Sequence, residues 1–510
     1  MICRNHRTKN TIWQLGLLAT LWAALSTSLV HAKSNRPNVV FIMADDMGIG
    51  DLSCYNAQSK ITTPHMDALA KDGMRFTDAH SGSAVCTPTR YGVLTGRYCW
   101  RSKLKSGVTW GKSACIIPKS RLTVASFLKT AGYNTGCVGK WHLGLDWARD
   151  GKKINYTKPI TLGPKQLGFD FFFGIPASLD MPPYVYVEND KVLKAPTAKI
   201  AGKGGKAMIR GGPAFPGFRE KDVLPDFTKQ AVGFIDRQSK DKPFFLYFPL
   251  ASPHTPVAPN KAFLGKSKAG LYGDFVIETD WAVGQVTAAL KKKGVYENTL
   301  IIVTSDNGSS PHGFPIGEEK QYDHLTSHLY KGRKSHTYEG GHRVAFIAAW
   351  PNRIKAGTVS TQVVCLTDLL ATCADVLGQK IPQTAGEDSV SFLPALDGKQ
   401  RSKSLRDSVV HHSLNGTFCL RHENWKIIFG KGHGGFSSIK QSVSRKPIQL
   451  YDMKSDVGET KNVASSHPEV VEQLRAMMAG YVTHGRSTPG TAQSNDGPKH
   501  WSQLKSIIKK

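Results

Sequence analysis

The sequence predicts an α/β fold in which helices cover both faces of a mainly parallel sheet. Short apolar runs, partly β-branched, occupy residues 37–43, 244–250 and 300–304, and each is typical of a strand buried on both faces. Segments with helical features lie between these runs, which is the alternation that parallel sheets require. With 510 residues, 40% of them hydrophobic, the chain can bury a large core and form more than one folding unit.

Proline, glycine and apolar periodicity indicate where the helices lie. We expect helices over residues 64–73, 122–132, 275–293 and 367–377. The first begins at Pro64 and ends at Gly73, the positions that these residues favour in helices. In the third, Glu278 and Asp280 are expected on the solvated face, opposite the apolar positions.

Beyond about residue 400 the pattern changes. A polar linker is expected over 397–404, then antiparallel strands within 420–429 and 448–451 and a helix over 468–481 that covers them. The predicted organisation is a leader over 1–32, a large α/β domain over 33–400, a small C-terminal α+β subdomain over 401–485 and a poorly ordered polar tail over 486–510.

Residues 1–32 have the features of an export signal. Three basic residues precede a largely apolar run over 15–30, and Val30 and Ala32 supply the small residues expected before a cleavage point. The alternative is an uncleaved signal anchor, because the run is close to the minimal length that spans a bilayer. No second apolar run of that length follows, so we expect an exported chain without stable membrane insertion.

Nine cysteines include Cys3 in the leader. Apart from Cys86, discussed below, the others are at positions 54, 99, 115, 137, 365, 373 and 419. Export permits disulfides, and Cys99 with Cys115 or Cys365 with Cys373 are local candidates. Because the number is odd, at least one of these cysteines is expected to be unpaired, and the spacing matches no zinc site.

Two pairs of oxygen-bearing side chains directly follow predicted strands. Asp45 and Asp46 come after the first strand, and Asp306 and Asn307 come after the third. Adjacent buried carboxylates are costly unless a cation lies between them, and ligands bind at the carboxyl ends of parallel strands. Oxygen ligands indicate Ca²⁺ or Mg²⁺. The alternative for each pair is an ordinary loop or turn.

A sulfur nucleophile is predicted at the start of a helix. In the motif Cys86-x-Pro88-x-Arg90 the proline fixes the backbone, so Cys86 is expected at a turn that leads into a helix. The free N–H groups of that helix end favour an anion. Arg90 adds a planar cation about one helical turn further along. The alternative is an ordinary buried cysteine.

Four other basic side chains stand near strand ends. Lys140 and His142 alternate in an extended segment, so we expect both on one face. His254 lies in a proline-flanked loop after the second predicted strand, and Lys334 lies in a basic cluster before Glu339. Taken singly, each is more often a surface lysine or a structural histidine.

Together and in this order, these motifs resemble those of the type I sulfatases. The cysteine motif is followed by Leu94-Thr95-Gly96, residues 132–142 read Gly-Tyr-x-Thr-x-x-Val-Gly-Lys-x-His, and residues 305–308 read Ser-Asp-Asn-Gly. In that family a lysine precedes the glutamate of Glu-Gly-Gly by five residues, which selects Lys334 over Lys331. The resemblance spans nearly the whole mature chain and implies an alkaline-phosphatase-like sandwich with a small C-terminal α+β subdomain.

The resemblance also implies a sulfuric ester hydrolase whose cysteine is oxidised to formylglycine by a formylglycine-generating enzyme. The hydrate of that aldehyde is the nucleophile. The implied metal is one Ca²⁺ ion in preference to Mg²⁺, with the ligands Asp45, Asp46, converted Cys86, Asp306 and Asn307. The implied sulfate-binding and proton-transfer residues are Arg90, Lys140, His142, His254 and Lys334.

The charge of the chain favours an anionic substrate. The formal net charge is +28, and residues 191–219 carry seven basic and no acidic side chains. A sulfated polysaccharide or small sulfate ester fits an exported chain, and no nucleic-acid-binding module is recognisable. A basic surface that serves solubility alone is the alternative.

Two other functions stay open on the sequence alone. Phosphonate and phosphodiester hydrolases of the same superfamily can share the Cys-x-Pro-x-Arg motif. A chain in which Cys86 stays a thiol would instead be a non-catalytic polyanion-binding protein. The compartment is expected to be the periplasm or the extracellular space, or a lysosome in a eukaryote, where Asn155 and Asn415 are potential glycan acceptors.

Overall fold

Strands and helices alternate along the first three quarters of the chain, as predicted. The structure, a computed structural model, describes residues 1, 36–399, 401, 403–436 and 444–508. Apart from Met1, the expected leader therefore lies outside the described residues. The strands are β1 (Asn38–Ala44), β2 (Met74–Phe76), β3 (Ala79–His80), β4 (Asn134–Lys140), β5 (Arg149–Asp150), β6 (Lys153–Ile154), β7 (Phe171–Ile175), β8 (Val187–Glu188), β9 (Lys191–Val192), β10 (Ala198–Ile200), β11 (Gly212–Ala214), β12 (Phe244–Pro249), β13 (Thr299–Ser305), β14 (Phe346–Ala349), β15 (Thr358–Ser360), β16 (Val364–Cys365), β17 (Ser408–His412), β18 (Phe418–His422), β19 (Trp425–Ile428) and β20 (Gln449–Asp452). The α-helices are α1 (Pro64–Asp72), α2 (Cys86–Thr95), α3 (Val124–Thr130), α4 (Val223–Asp236), α5 (Gly270–Lys293), α6 (Ile316–Tyr322), α7 (Glu339–His342), α8 (Leu369–Val376) and α9 (Pro468–Thr483).

The main sheet has a parallel centre. Within the described residues it contains ten strands in the order β15-β2-β14-β13-β1-β12-β4-β7-β8-β9. The five central strands, from β13 to β7, all pair in parallel. Antiparallel pairs occur only nearer the edges, where β14 joins β13 to β2 and β8 joins β7 to β9. The predicted mainly parallel α/β fold is confirmed.

Strand β1 shows that both faces of the sheet are covered. Phe41 and Met43 point into one hydrophobic core, which also contains side chains of α2, α3 and α8. Val40 and Ile42 point into the opposite core, against α1, α4 and α5. The run is apolar at every position because successive side chains alternate between two buried faces.

Helix α5 corrects one expectation from the sequence. Glu278 and Asp280 are not solvated but fully buried. The carboxylate of Asp280 accepts the backbone N–H groups of His65 and Met66, at 3.1 and 2.8 Å, in the first turn of α1. Such helix ends have unpaired donors that a buried acid can satisfy. Burial raises the pKa of Asp280 to about 7, although those two hydrogen bonds act in the opposite direction.

We expect Asp280 to make stability depend on pH. Its pKa in the folded protein lies above the ordinary value of 3.8, so its contribution is fully present below about pH 4 and is lost as the pH rises through about 7. Between about pH 5 and about pH 8, the parent should therefore lose more free energy of unfolding than Asp280→Asn, measured by urea denaturation. The same pH dependence in both proteins would show that Asp280 is ionised in the fold across that range.

The C-terminal part forms the expected antiparallel sheet. Strands β17, β18, β19 and β20 pair in that order, and α9 covers them through Val471, Leu474 and Met478. Residues 486–508, which belong to the expected polar tail, include apolar side chains that join this core. Leu504 and Ile507 are buried in the same core, because a few scattered apolar residues are enough to fix a short segment without giving it periodicity.

A buried ion pair within the main domain lies where that domain contacts the C-terminal part. Two nitrogens of Arg101 lie 2.8 Å from the two oxygens of Asp388, with both side chains fully buried. A third nitrogen of Arg101 lies 2.8 Å from the carbonyl oxygen of Tyr481 in α9. Removing one partner of such a pair leaves an unbalanced buried charge.

Arg101→Ala is therefore expected to lower the free energy of unfolding by about 3–5 kcal/mol. Lys158→Ala is the control, because the Lys158–Asp150 pair is more than half exposed and such surface pairs contribute little to stability. Guanidinium denaturation measures both. Equal stability of the two variants would mean that the Arg101–Asp388 pair does not stabilise the fold.

The expected disulfides are absent from the described residues. All eight cysteines there are free, six of them buried. The candidate disulfides Cys99–Cys115 and Cys365–Cys373 are therefore wrong predictions. Each of these cysteines instead packs in or against an apolar core as a thiol.

Candidate active site

Parallel pairing of β1 with β13 brings the two oxygen pairs together. The strands stay in register to their last residues, so Asp45 and Asp306 leave the sheet side by side. The N–H of Asp46 donates to Asp306 Oδ1 at 3.2 Å, and Asn307 Nδ2 donates to Asp46 Oδ1 at 2.8 Å. Asp46 has a φ of 67°, a left-handed conformation that is uncommon for residues other than glycine.

Each of the three carboxylates is paired with a basic side chain. The pairs and their shortest N···O distances are Lys140–Asp45 (2.6 Å), Lys334–Asp46 (2.6 Å) and Arg90–Asp306 (2.7 Å). All six side chains are buried. Opposite charges from distant parts of the sequence therefore meet at the carboxyl ends of the central strands.

Cys86 lies at the centre of this arrangement. It is the first residue of α2, at the helix start where the sequence placed it, and it is buried. Its Sγ and one carboxylate oxygen each from Asp45 and Asp306 lie within 4.8 Å of one another. Burial raises the pKa of the Cys86 thiol, although the charges of Lys140 and Lys334 act in the opposite direction. An unmodified Cys86 is therefore a neutral thiol.

The oxygens around Cys86 fit a divalent cation. Asp45 Oδ1 and Asn307 Oδ1 are buried and have no hydrogen-bond partner among the described residues. Burial and the negative charge of Asp45 raise the pKa of Asp306 to about 7, which reflects a repulsion that a cation would relieve. Carboxylate and amide oxygens are the ligands that Ca²⁺ and Mg²⁺ prefer.

Comparison with known families identifies this arrangement. A family model described as Sulfatase matches residues 37–379, a stretch that contains all of these side chains. The chain belongs to the sulfatase family. It is a sulfuric ester hydrolase, and its family implies a metal ion and a formylglycine at the site. A second model, described as N-sulphoglucosamine sulphohydrolase, C-terminal, matches residues 329–483.

Curated relatives match over most of their length. An N-acetylgalactosamine-6-O-sulfatase of Bacteroides thetaiotaomicron is 35% identical over 494 residues, covering 88% of this chain and 94% of the relative. Arylsulfatase A of Homo sapiens is 33% identical over 508 residues, covering 93% and 94%. The match thus includes both the main domain and the C-terminal part.

Solved structures confirm the alkaline-phosphatase-like fold. A structure described under the metabolism of multiple glycosaminoglycans by Bacteroides thetaiotaomicron has a TM-score of 0.79 and 33% identity, covering 88% of this chain and 99% of that one. The phosphonate monoester hydrolase of Agrobacterium radiobacter has a TM-score of 0.58 and 18% identity, covering 88% and 96%. The second likeness shows the fold alone.

The sequence predicted that His142 and Lys140 lie on the same face of one strand. In the structure of this sulfatase they do not. Strand β4 ends at Lys140, and His142 has a φ of 54°. Its Nε2 lies 2.8 Å from the carbonyl oxygen of Thr109. Because a carbonyl only accepts, we assign the hydrogen to Nε2, which leaves Nδ1 bare, buried and without a hydrogen-bond partner in the described part of the chain. Burial and the charges of Lys140 and Arg90 hold the pKa of His142 well below its usual range.

His254 lies in the loop after β12, next to a residue that the sequence analysis missed. Ser178 Oγ lies 3.2 Å from Lys140 Nζ and 3.3 Å from both ring nitrogens of His254. His254 Nε2 also lies 3.6 Å from Asp46 Oδ2. Ser178 follows the end of β7 by three residues, so its position after a parallel strand was the available signal.

A second buried cluster in this sulfatase consists of His80, His342 and His411. One ring nitrogen of each lies within 4.8 Å of the others. The rings of His342 and His411 stack with centroids 3.7 Å apart and an interplanar angle of 12°, so their nitrogens do not converge on one point. Lys426 Nζ lies 3.0 Å from His342 Nε2, and a cation there opposes metal binding. The oxygen ligands near Cys86 are the better metal site.

Proposed function

We propose that this sulfatase hydrolyses the sulfate ester of a carbohydrate at the site around Cys86. The observation that carries this proposal is the neutralisation of three buried carboxylates by three buried bases beside a buried cysteine. If a metal ion takes up the charge of the carboxylates, the basic side chains become available for the oxygens of a sulfate group.

The metal ligands would be Asp45, Asp46, Asp306 and Asn307, together with converted Cys86. Ca²⁺ suits this set better than Mg²⁺, because Mg²⁺ demands near-ideal octahedral geometry and usually keeps several waters. When bound, the ion polarises a sulfate oxygen and lowers the pKa of the attacking hydroxyl.

The basic side chains would bind the sulfate and offset charge in the transition state. Arg90, Lys140 and Lys334 carry permanent charge and are held in place by burial. Sulfate esters hydrolyse so slowly unaided that the site must lower the barrier by up to about 20 kcal/mol. One electrostatic donor typically supplies about 3–4 kcal/mol, so several must converge.

Four side chains, Asp306, His254, Lys334 and His142, would move protons. Cys86, converted to formylglycine, supplies the hydrate hydroxyl as nucleophile, and Asp306 accepts its proton. His254, with Lys334, donates a proton to the departing alcohol oxygen. His142 accepts, at its bare Nδ1, the proton whose removal releases inorganic sulfate.

A sugar sulfate is favoured over an aryl sulfate. The 35% identical relative is an N-acetylgalactosamine-6-O-sulfatase, which makes N-acetylgalactosamine 6-sulfate the first substrate to test. The net charge of +28 and the acid-free segment 191–219 favour approach of a polyanionic chain.

We further propose export to the periplasm or the extracellular space, with residues 1–32 as the signal. Residues 33–400 would then form the catalytic domain and residues 401–485 the C-terminal subdomain. None of the described helices is both long and apolar enough to cross a membrane.

Two measurements test the proposed function. Mass spectrometry of the peptide over residues 80–97 should detect an aldehyde at position 86, and the converted protein should release sulfate from N-acetylgalactosamine 6-sulfate. Phosphodiester and phosphonate esters at matched concentration serve as controls and should react more slowly. A thiol at position 86 in active protein, or faster phosphonate hydrolysis, would contradict the proposal.

A further inference from the structure

Three side chains beside the sulfate site have no part in the chemistry described above. Trp110 directly follows Thr109, whose carbonyl holds the ring of His142. Asp180 lies two residues after Ser178, and Arg210 comes from the basic segment 191–219. Three separate segments therefore meet beside the sulfate site.

Arg210 connects the other two side chains. Its guanidinium pairs with the carboxylate of Asp180 and lies over the Trp110 ring, 5.0 Å from the centroid. The backbone N–H of Arg210 donates to the carbonyl of Asp180 at 3.0 Å. The hydroxyl of Tyr184 lies 2.9 Å from that carbonyl and 2.6 Å from the carbonyl of Arg210. The group is thus held in place without a ligand.

The same group has unused binding capacity. Asp180 Oδ1 is buried without a hydrogen-bond partner among the described residues. Such an oxygen is costly unless a ligand supplies a hydrogen. Trp110 is 51% exposed, and the side chain of Arg210 is 39% exposed and hydrogen-bonds only to Asp180 within the described residues.

Asp180 lies two residues after Ser178, whose hydroxyl contacts the sulfate-binding side chains Lys140 and His254. Burial alone would raise the pKa of Asp180, but the charges of His254 and Arg210, a hydrogen bond with the Ser178 side chain and the charge of Lys140 lower it. Asp180 therefore stays ionised, and its free oxygen is a strong acceptor for a hydroxyl group.

We propose that Trp110, Asp180 and Arg210 bind the sugar ring that carries the scissile sulfate. The apolar face of the ring stacks on the indole, a ring hydroxyl donates to Asp180 Oδ1, and Arg210 donates to a ring oxygen. This inference rests on the proposed function and names the residues that separate a sugar sulfate from an aryl sulfate, since a simple aryl ester has no hydroxyl for Asp180.

Binding to a protein that cannot turn over its ligand tests this subsite. Calcium-loaded protein with Cys86→Ala is titrated in a calorimeter with N-acetylgalactosamine 6-sulfate and with 4-methylumbelliferyl sulfate. We expect the sugar to bind at least about tenfold more tightly, because a site built for hydroxyls discriminates against ligands without them. Asp180→Ala and Arg210→Gln should each lower this ratio at least about fivefold, and Trp110→Ala should weaken sugar binding by a similar factor.

A second, partly exposed arginine–aspartate pair offers a matched control. Arg219 and Asp222 form an ion pair at the end of the basic segment and contact none of the site residues named above. Arg219→Gln and Asp222→Ala remove the same charges and should leave the affinity ratio within about twofold of the parent. Asp180 is buried, so Asp180→Ala could fail to fold. Arg210 is partly exposed, and its replacement does not leave a cavity in the core, so Arg210→Gln tests the subsite even in that case.

The subsite would be overturned if the Cys86→Ala protein bound the sugar sulfate and the aryl sulfate with nearly equal affinity. It would also be overturned if adding Arg210→Gln left the ratio of these two affinities unchanged. Sulfate release from both esters is measured separately with converted protein that keeps residue 86. A failure of the proposed function would appear as no release from either ester, whereas the affinity ratio is decided by binding alone. The two ideas can therefore fail independently.

Discussion

Cys86→Ala is expected to reduce sulfate release by at least about 10⁴-fold, as removal of a catalytic nucleophile does in other hydrolases. Within the described residues, Cys86 is the cysteine whose sulfur lies among the site carboxylates, and alanine cannot be oxidised to an aldehyde. Released sulfate is measured by ion chromatography with N-acetylgalactosamine 6-sulfate as substrate. The melting temperature of the variant shows whether it is folded.

A second cysteine provides the control for this change. Cys115 is half-buried, and its thiol donates to the carbonyl of Ile117, at 3.5 Å. Cys115→Ala should keep activity within about twofold of the parent. If folded Cys86→Ala kept more than about 1% of the parent rate, the nucleophile would have to be another group.

Removing the metal ion is expected to have the second-largest effect. Chelation followed by dialysis should lower turnover at least about 10³-fold, since charge stabilisation at the sulfate and activation of the nucleophile are lost together. Added Ca²⁺ should restore the rate more completely than added Mg²⁺. Asp45→Asn should have the same effect and should bring the metal content below one ion per chain.

The control for the metal prediction is an exposed carboxylate. Asp241 is exposed and contacts none of the site residues, so Asp241→Asn should keep both the metal content and the rate. Full activity after complete chelation, checked by elemental analysis, would mean that the carboxylates are neutralised by Arg90, Lys140 and Lys334 alone.

Much of the site could be predicted because its residues follow the ends of buried strands. The apolar runs before Asp45 and Asp306 predict strands buried on both faces, and such strands are parallel neighbours in this fold class. Parallel pairing then places their ends together, as the register of β1 and β13 shows. The expected helix start at Cys86 follows from local chemistry in the same way.

Features that depend on tertiary contacts could not be predicted. Asp280 faces the N-terminus of α1, which no periodicity within α5 indicates. His142 leaves the strand pattern because a left-handed residue turns its ring toward Thr109. Ser178, Asp180 and Arg210 carry no motif and become neighbours only when the loops after β7 and β10 are placed by the rest of the fold.

The most direct test of the account is the location of the metal in a crystal of the converted, calcium-loaded protein. We predict a single density peak about 2.3–2.6 Å from oxygens of Asp45, Asp46, Asp306 and Asn307, beside formylglycine at position 86. A peak among His80, His342 and His411 instead, or four oxygen ligands without a metal in active crystals, would contradict it.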